Sequence, residues 1–93
     1  MTNKSNIEVH AGKLISAVQK IWHEQLGESL AAESEVAMNR CHDLLQAEKS
    51  GGIFALLSGT SVSYYIGDIW VAAHPEVVQY IRALESAILE AKK

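Results

Sequence analysis

The sequence predicts an all-α protein, a compact bundle of about four helices, and three observations favour this class. The chain of 93 residues contains only one proline and six glycines, which leaves few breaks for short strands. Its apolar content of 48% is that of a folded protein with one core. Most apolar residues recur at the spacing of an amphipathic helix. The prediction is therefore a single helical domain over residues 1–93.

The first helix is predicted to begin after Ser5, because Ser5 and Glu8 have the spacing of a capping box. An apolar stripe follows at helical spacing, and Gly27 marks the end of the pattern. The stripe consists of Ile7, Ala11, Leu14, Ile15, Val18, Ile21 and Trp22. This arrangement predicts a helix with one buried face.

The second helix is predicted to run from about Ser29 to Lys49 and to end at the glycine pair that follows. Its apolar stripe consists of Leu30, Ala37, Met38, Cys41, Leu44 and Leu45. Outside the stripe the segment is acidic, and four carboxylates are candidates for binding a partner with a basic surface. These are Glu28, Glu33, Glu35 and Asp43. The alternative is a solvated face that keeps the protein soluble.

The middle of the chain is ambiguous between two structures. A β-hairpin over residues 53–66 is one, because the apolar runs 53–57 and 62–66 flank a turn at Gly59-Thr60. A helix over residues 62–73 is favoured, because the helical period continues past residue 66. Its stripe consists of Val62, Tyr65, Ile66, Ile69, Trp70 and Ala73.

This third predicted helix is apolar on two sides, since Tyr64 and Val71 lie opposite the Val62/Ile69 stripe. A helix of that kind is either central in its own bundle or buried against a partner. The sequence therefore predicts a homo-oligomer, most simply a two-fold dimer, with Tyr64 and Val71 as the self-association surface. A central helix in a monomer is the alternative.

The last helix is predicted to begin at His74-Pro75-Glu76, because proline suits the first helical position and Glu76 suits the positive helix start. Its stripe consists of Val77, Tyr80, Ile81, Leu84, Ile88 and Ala91. The segment thus completes the predicted bundle.

Charge and cysteine content limit the partners and the compartment. The net charge is −3 and no Lys or Arg lies between Lys49 and Arg82, so a nucleic-acid partner is not expected. The uncharged stretch 50–67 is too short and polar to cross a membrane. A single cysteine excludes an internal disulfide, and the polar first residues do not resemble a secretory signal. A cytoplasmic location is the resulting prediction.

The chain shows no residue pattern typical of catalysis, metal binding or a cofactor site. The histidines lack the spacing that puts two metal ligands on one helix face. Cys41 lies on an apolar stripe, where a thiol is an inert packing group. An enzyme, a metal and a cofactor are therefore not predicted.

The leading hypothesis is a small, soluble, self-associating protein-interaction module. Its size and acidity suit an accessory, immunity-type or antitoxin-type protein that binds a basic partner. The alternative is a helical bundle that binds a small ligand, or an enzyme whose site forms at a dimer interface. In that case Tyr64, Tyr65, Trp70 and His74 would place polar groups around an apolar pocket.

Overall fold

The computed structural model describes residues 5–91, which form six α-helices, one 3₁₀ turn and no strand. The helices are α1 (Asn6–Glu24), α2 (Ala31–Ser50), α3 (Ile53–Leu57), α4 (Val62–Ile66), α5 (Asp68–Ala73) and α6 (Val78–Ala91), with the 3₁₀ turn at Pro75–Val77. The all-α prediction is confirmed, and the alternative hairpin over 53–66 is wrong because α3 and α4 occupy that range. The cytoplasmic prediction depends in part on the polar first residues of the chain, and residues 1–4 lie outside the described range.

Helices α1 and α2 form a long antiparallel pair that is tied at its open end. The Ser5 hydroxyl accepts a hydrogen bond from the Glu8 amide at 3.1 Å, as the capping spacing predicts. The same hydroxyl donates to the Glu48 carboxylate at 2.7 Å, which joins the start of α1 to the end of α2. Helix α2 ends at Gly51, whose φ of +82° is left-handed and suits glycine.

The remaining helices form a second layer that packs against this pair. Helix α6 packs along α1, and the three short helices lead from α2 across to α6. The molecule measures 41 × 30 × 20 Å, and its shortest dimension corresponds to about two helix diameters. One hydrophobic core fills the space between the layers. Its most deeply buried apolar side chains include Leu14, Val18, Leu44, Ile53, Val62, Val77 and Leu84.

The predicted third helix over residues 62–73 is broken in two at Gly67. This residue adopts φ +131° and ψ 105°, a conformation that glycine tolerates and that no helix contains. The break turns α5 relative to α4, so that of the predicted stripe after it Trp70 is buried but Ile69 and Ala73 are exposed. Ile69, predicted to be buried, is 89% exposed, and Val71, predicted to face outward, is only 8% exposed.

Candidate functional site

The most exposed large apolar side chain in the described part of the chain lies beside a second one. Ile69 on α5 is 89% exposed and shares a shallow recess with Val36 on α2, which is 50% exposed. Glu33 borders the recess, and the buried side chains of Ile66 and Trp70 complete it. These five residues are called the α2–α5 face below. It combines an apolar centre with a carboxylate at its edge.

A second recess is lined by Tyr65, the residue that precedes Ile66 of the α2–α5 face. Arg40 lies on the border, because its Nη1 donates to the Tyr65 carbonyl at 3.0 Å and to the Ile66 carbonyl at 3.3 Å. The lining residues of the second recess are Arg40, Leu56, Leu57, Thr60, Tyr64 and Tyr65. Consecutive residues of α4, Tyr65 and Ile66, thus line the two recesses.

Side chains from three elements fix both ends of the short helix α4. The Ser61 hydroxyl accepts from the Tyr64 amide at 3.1 Å, and the Glu85 carboxylate accepts from the Val62 amide at 3.0 Å. At the other end, Arg40 satisfies carbonyls that the helix itself cannot pair. A helix of five residues is too short to be stable alone. These caps from α2 and α6 therefore place α4, and with it α5.

The predicted self-association pair does not form one surface. Tyr64 is 64% exposed, whereas Val71 is buried in the core at 8% exposure. The break at Gly67 causes the error, since it moves Ile69 to the outside in place of Val71. A signal for it is present in the sequence, because Gly67 followed by the acidic Asp68 is typical of a helix end and a new helix start.

Four residues from distant parts of the chain form a closed ring of hydrogen bonds. The Trp70 indole N–H donates to the Ser34 hydroxyl at 3.0 Å, and that hydroxyl donates to the Gln25 carbonyl oxygen at 2.5 Å. The Gln25 amide nitrogen lies 3.3 Å from His74 Nε2, and His74 Nδ1 lies 2.9 Å from the Trp70 carbonyl. The ring fastens the turn after α1 to α2 and α5.

One tautomer of the His74 ring satisfies both of its hydrogen bonds in the ring of four residues. A neutral imidazole with its proton on Nδ1 donates to the Trp70 carbonyl and accepts from the Gln25 amide, which satisfies both bonds. The imidazole also stacks on the Trp70 ring, with centroids 4.4 Å apart. Ser34 is fully buried and its hydroxyl is engaged, so it positions the helices and is not placed to attack a substrate.

The four residues of the predicted ligand pocket are distributed over two places. Tyr64 and Tyr65 line the recess beside Arg40. Trp70 lies in the α2–α5 face, and His74 is stacked on it within the hydrogen-bonded ring. The structure thus brings Trp70 and His74 together and places the two tyrosines in the neighbouring recess.

The four predicted partner-binding carboxylates are all exposed but do not form one cluster. Glu28 lies in the turn before α2. On α2, Glu33 borders the α2–α5 face, and Glu35 lies about 160° around the helix from Glu33, at about 100° per residue. Asp43 lies about 80° from each of them. That these carboxylates bind a basic partner stays a prediction.

Two titratable side chains have altered proton affinities. Burial raises the pKa of the Cys41 thiol from 9.0 to about 12, so the thiol is protonated at neutral pH and a poor nucleophile. Burial and the neighbouring Asp43 raise the pKa of the Tyr65 hydroxyl, while Arg40 acts in the opposite direction. Both shifts favour the neutral form of the side chain.

The described residues do not meet the requirements of a metal site or of a membrane-spanning helix. Within residues 5–91, no three side chains of His, Cys, Asp or Glu come together in a way that could hold a metal ion. None of the described helices combines the length and the apolar content needed to cross a bilayer.

Fold and surface define a small all-α protein with an exposed apolar face. In comparisons with known proteins, no family model, curated protein or solved structure matched the chain. The evidence for a function therefore comes from the fold and the surface of this chain.

Proposed function

We propose that this chain is a protein-interaction module that self-associates by covering the α2–α5 face. The observation that carries the proposal is the position of Ile69, which is 89% exposed in one recess with the half-exposed Val36. Isolated apolar side chains are common on protein surfaces, but adjoining ones mark sites of contact. A second recess, lined by Arg40, Tyr64 and Leu56 among others, offers further exposed apolar side chains.

Covering this surface removes apolar side chains from water, which contributes a favourable term to self-association. Complete burial of one aliphatic side chain contributes about 1.5–3 kcal/mol. In a two-fold dimer each such contribution occurs twice, because both copies present the same surface. Two copies of Ile69 and Val36 would thus contribute several times the thermal energy, against the entropy lost on association.

The outward face of α2 remains available in such a dimer. Asp43 lies on the same flank of α2 as Val36 and is a neighbour of Tyr65. Glu35, in contrast, is exposed on the outward face, about 160° around the helix from Glu33. A basic partner of an accessory or immunity-type protein would bind on this side. The same proposal places the module in the cytoplasm, since its cysteine is unpaired and buried and suits a reducing compartment.

The test compares the solution mass of the wild type with that of Ile69→Asp over a dilution series, by sedimentation velocity. Because Ile69 is almost fully exposed, the substitution should leave the monomer fold intact and remove the dimer. Leu89→Asp is the matched control, since Leu89 is 61% exposed on α6 and lies in a different recess. A monomeric wild type, or equal loss of the dimer in both variants, would contradict the proposal.

A further inference from the structure

One flank of α2 carries an acidic, an apolar and a basic side chain in a row. Glu33, Val36 and Arg40 are separated by three and four residues, which places them within an arc of about 60° on the helix. Glu33 and Val36 belong to the α2–α5 face, and Arg40 lies at its border with the adjoining recess. All three side chains are exposed.

The charges in this row are self-complementary when a second copy of α2 runs beside it in the opposite direction. When two copies of α2 run antiparallel about a two-fold axis that passes between Val36 and Ala37, Glu33 of one copy meets Arg40 of the other. Symmetry forms the same pair a second time and brings the two Val36 side chains together at the centre. Ile69 lies beside Val36 in each copy, so the apolar centre is extended by α5.

Both charged groups have capacity for such a pair. Glu33 has no hydrogen-bond or ion-pair partner among the other described residues. Arg40 uses only Nη1 for the carbonyls of Tyr65 and Ile66, which leaves the N–H donors of Nη2 and Nε. Those carbonyl contacts also hold the guanidinium in place beside the face, which lowers the entropy lost when a carboxylate binds it.

We infer that the occupant of the α2–α5 face is a second copy of this chain, docked with its α2 antiparallel, so that Glu33 of each copy pairs with Arg40 of the other. The inference rests on the proposed self-association and adds the orientation of the second copy and the charged pairs that fix it. A foreign chain would have to match the same sequence of charges, whereas a second copy matches it through symmetry.

The experiment is a dilution series by sedimentation equilibrium with wild type, Glu33→Arg and Glu35→Arg. Both substitutions make the same charge change on α2, but Glu35 lies around the helix about 160° from Glu33 and about 100° from Val36. Glu33→Arg turns two attractive pairs into two repulsive ones, so the dimer dissociation constant should rise roughly 30-fold. The constant for Glu35→Arg should equal that of the wild type.

A mixing experiment tests the pairing itself. Each of Glu33→Arg and Arg40→Glu places like charges across its own dimer, whereas a one-to-one mixture restores both opposite-charge pairs. Heterodimers in the mixture, tighter than either homodimer, are expected. Arg40→Glu also loses its contacts to α4, so its circular dichroism is checked, and if it is unfolded the comparison of Glu33→Arg with Glu35→Arg decides.

The outcomes separate this inference from the proposed function. A wild type that remains monomeric overturns both and leaves the face to a different protein. A wild-type dimer that Ile69→Asp dissociates, combined with equal constants for Glu33→Arg and Glu35→Arg, preserves self-association and overturns the antiparallel arrangement.

Discussion

Replacement of Ser34 by alanine tests the hydrogen-bonded ring that joins α1, α2 and α5. The Ser34 side chain is fully buried and accepts from the buried Trp70 indole N–H while donating to Gln25. Without the hydroxyl the indole N–H has no acceptor, which costs about 1–3 kcal/mol. Alanine recovers roughly 0.5 kcal/mol of helix propensity. The expected net loss is about 2 kcal/mol, or a fall in Tm on the order of 10 °C for a chain of this size.

The measurement is urea and thermal unfolding by far-UV circular dichroism, at one protein concentration because the proposed self-association would also stabilise the fold. Ser16→Ala is the control, since Ser16 is exposed on α1 and gains helix propensity without losing a buried bond. Trp70→Phe removes the donor, so its cost and that of Ser34→Ala should be less than additive by about 1 kcal/mol. A loss in Ser34→Ala no larger than in Ser16→Ala, or strict additivity, would refute the reasoning.

Two further predictions concern Cys41 and Gly67. Because burial raises the thiol pKa to about 12, Cys41 stabilises the fold below pH 9, and this contribution is lost progressively as the pH rises from 9 to 12. The loss should reach about 1 kcal/mol by pH 10 in the wild type; a Cys41→Ala variant with an equally steep pH dependence would contradict it. Gly67→Ala should destabilise by more than about 1 kcal/mol, because its φ of +131° strains any other residue. Gly12→Ala, in open space within α1, should instead stabilise by about 1 kcal/mol, and equal effects in urea unfolding would disprove this account of the break.

The long helices could be predicted because their information is local. The stripe from Ile7 to Val18 gives the buried face of α1, and the spacing of Ser5 and Glu8 gives its start. Pro75 likewise marks the turn before α6. In each case a period or a cap lies within the segment that it specifies, so no tertiary contact is needed to detect it.

The candidate site depends on information that the local pattern does not contain. Ile69 faces outward only because the backbone at Gly67 leaves the helical region, and the 3.6-residue period alone places it inside. Ser34 precedes Ala37 by three residues and so shares the buried stripe of α2, a signal that was available. Its partners Gln25 and Trp70 come from other parts of the chain, and only the folded chain brings them together.

The side chain best suited to docking is carried by the segment of the molecule that is least able to fold unaided. Helices α3, α4 and α5 contain five, five and six residues, and each depends on side chains of α2 or α6 for its position. Such a segment opens locally at a lower free energy than the long helices do. A partner chain that covers Ile69 also opposes this opening. Binding of the partner and local unfolding of the segment are therefore thermodynamically coupled. The apparent affinity for any partner is then its intrinsic affinity multiplied by the fraction of molecules in which the segment is closed.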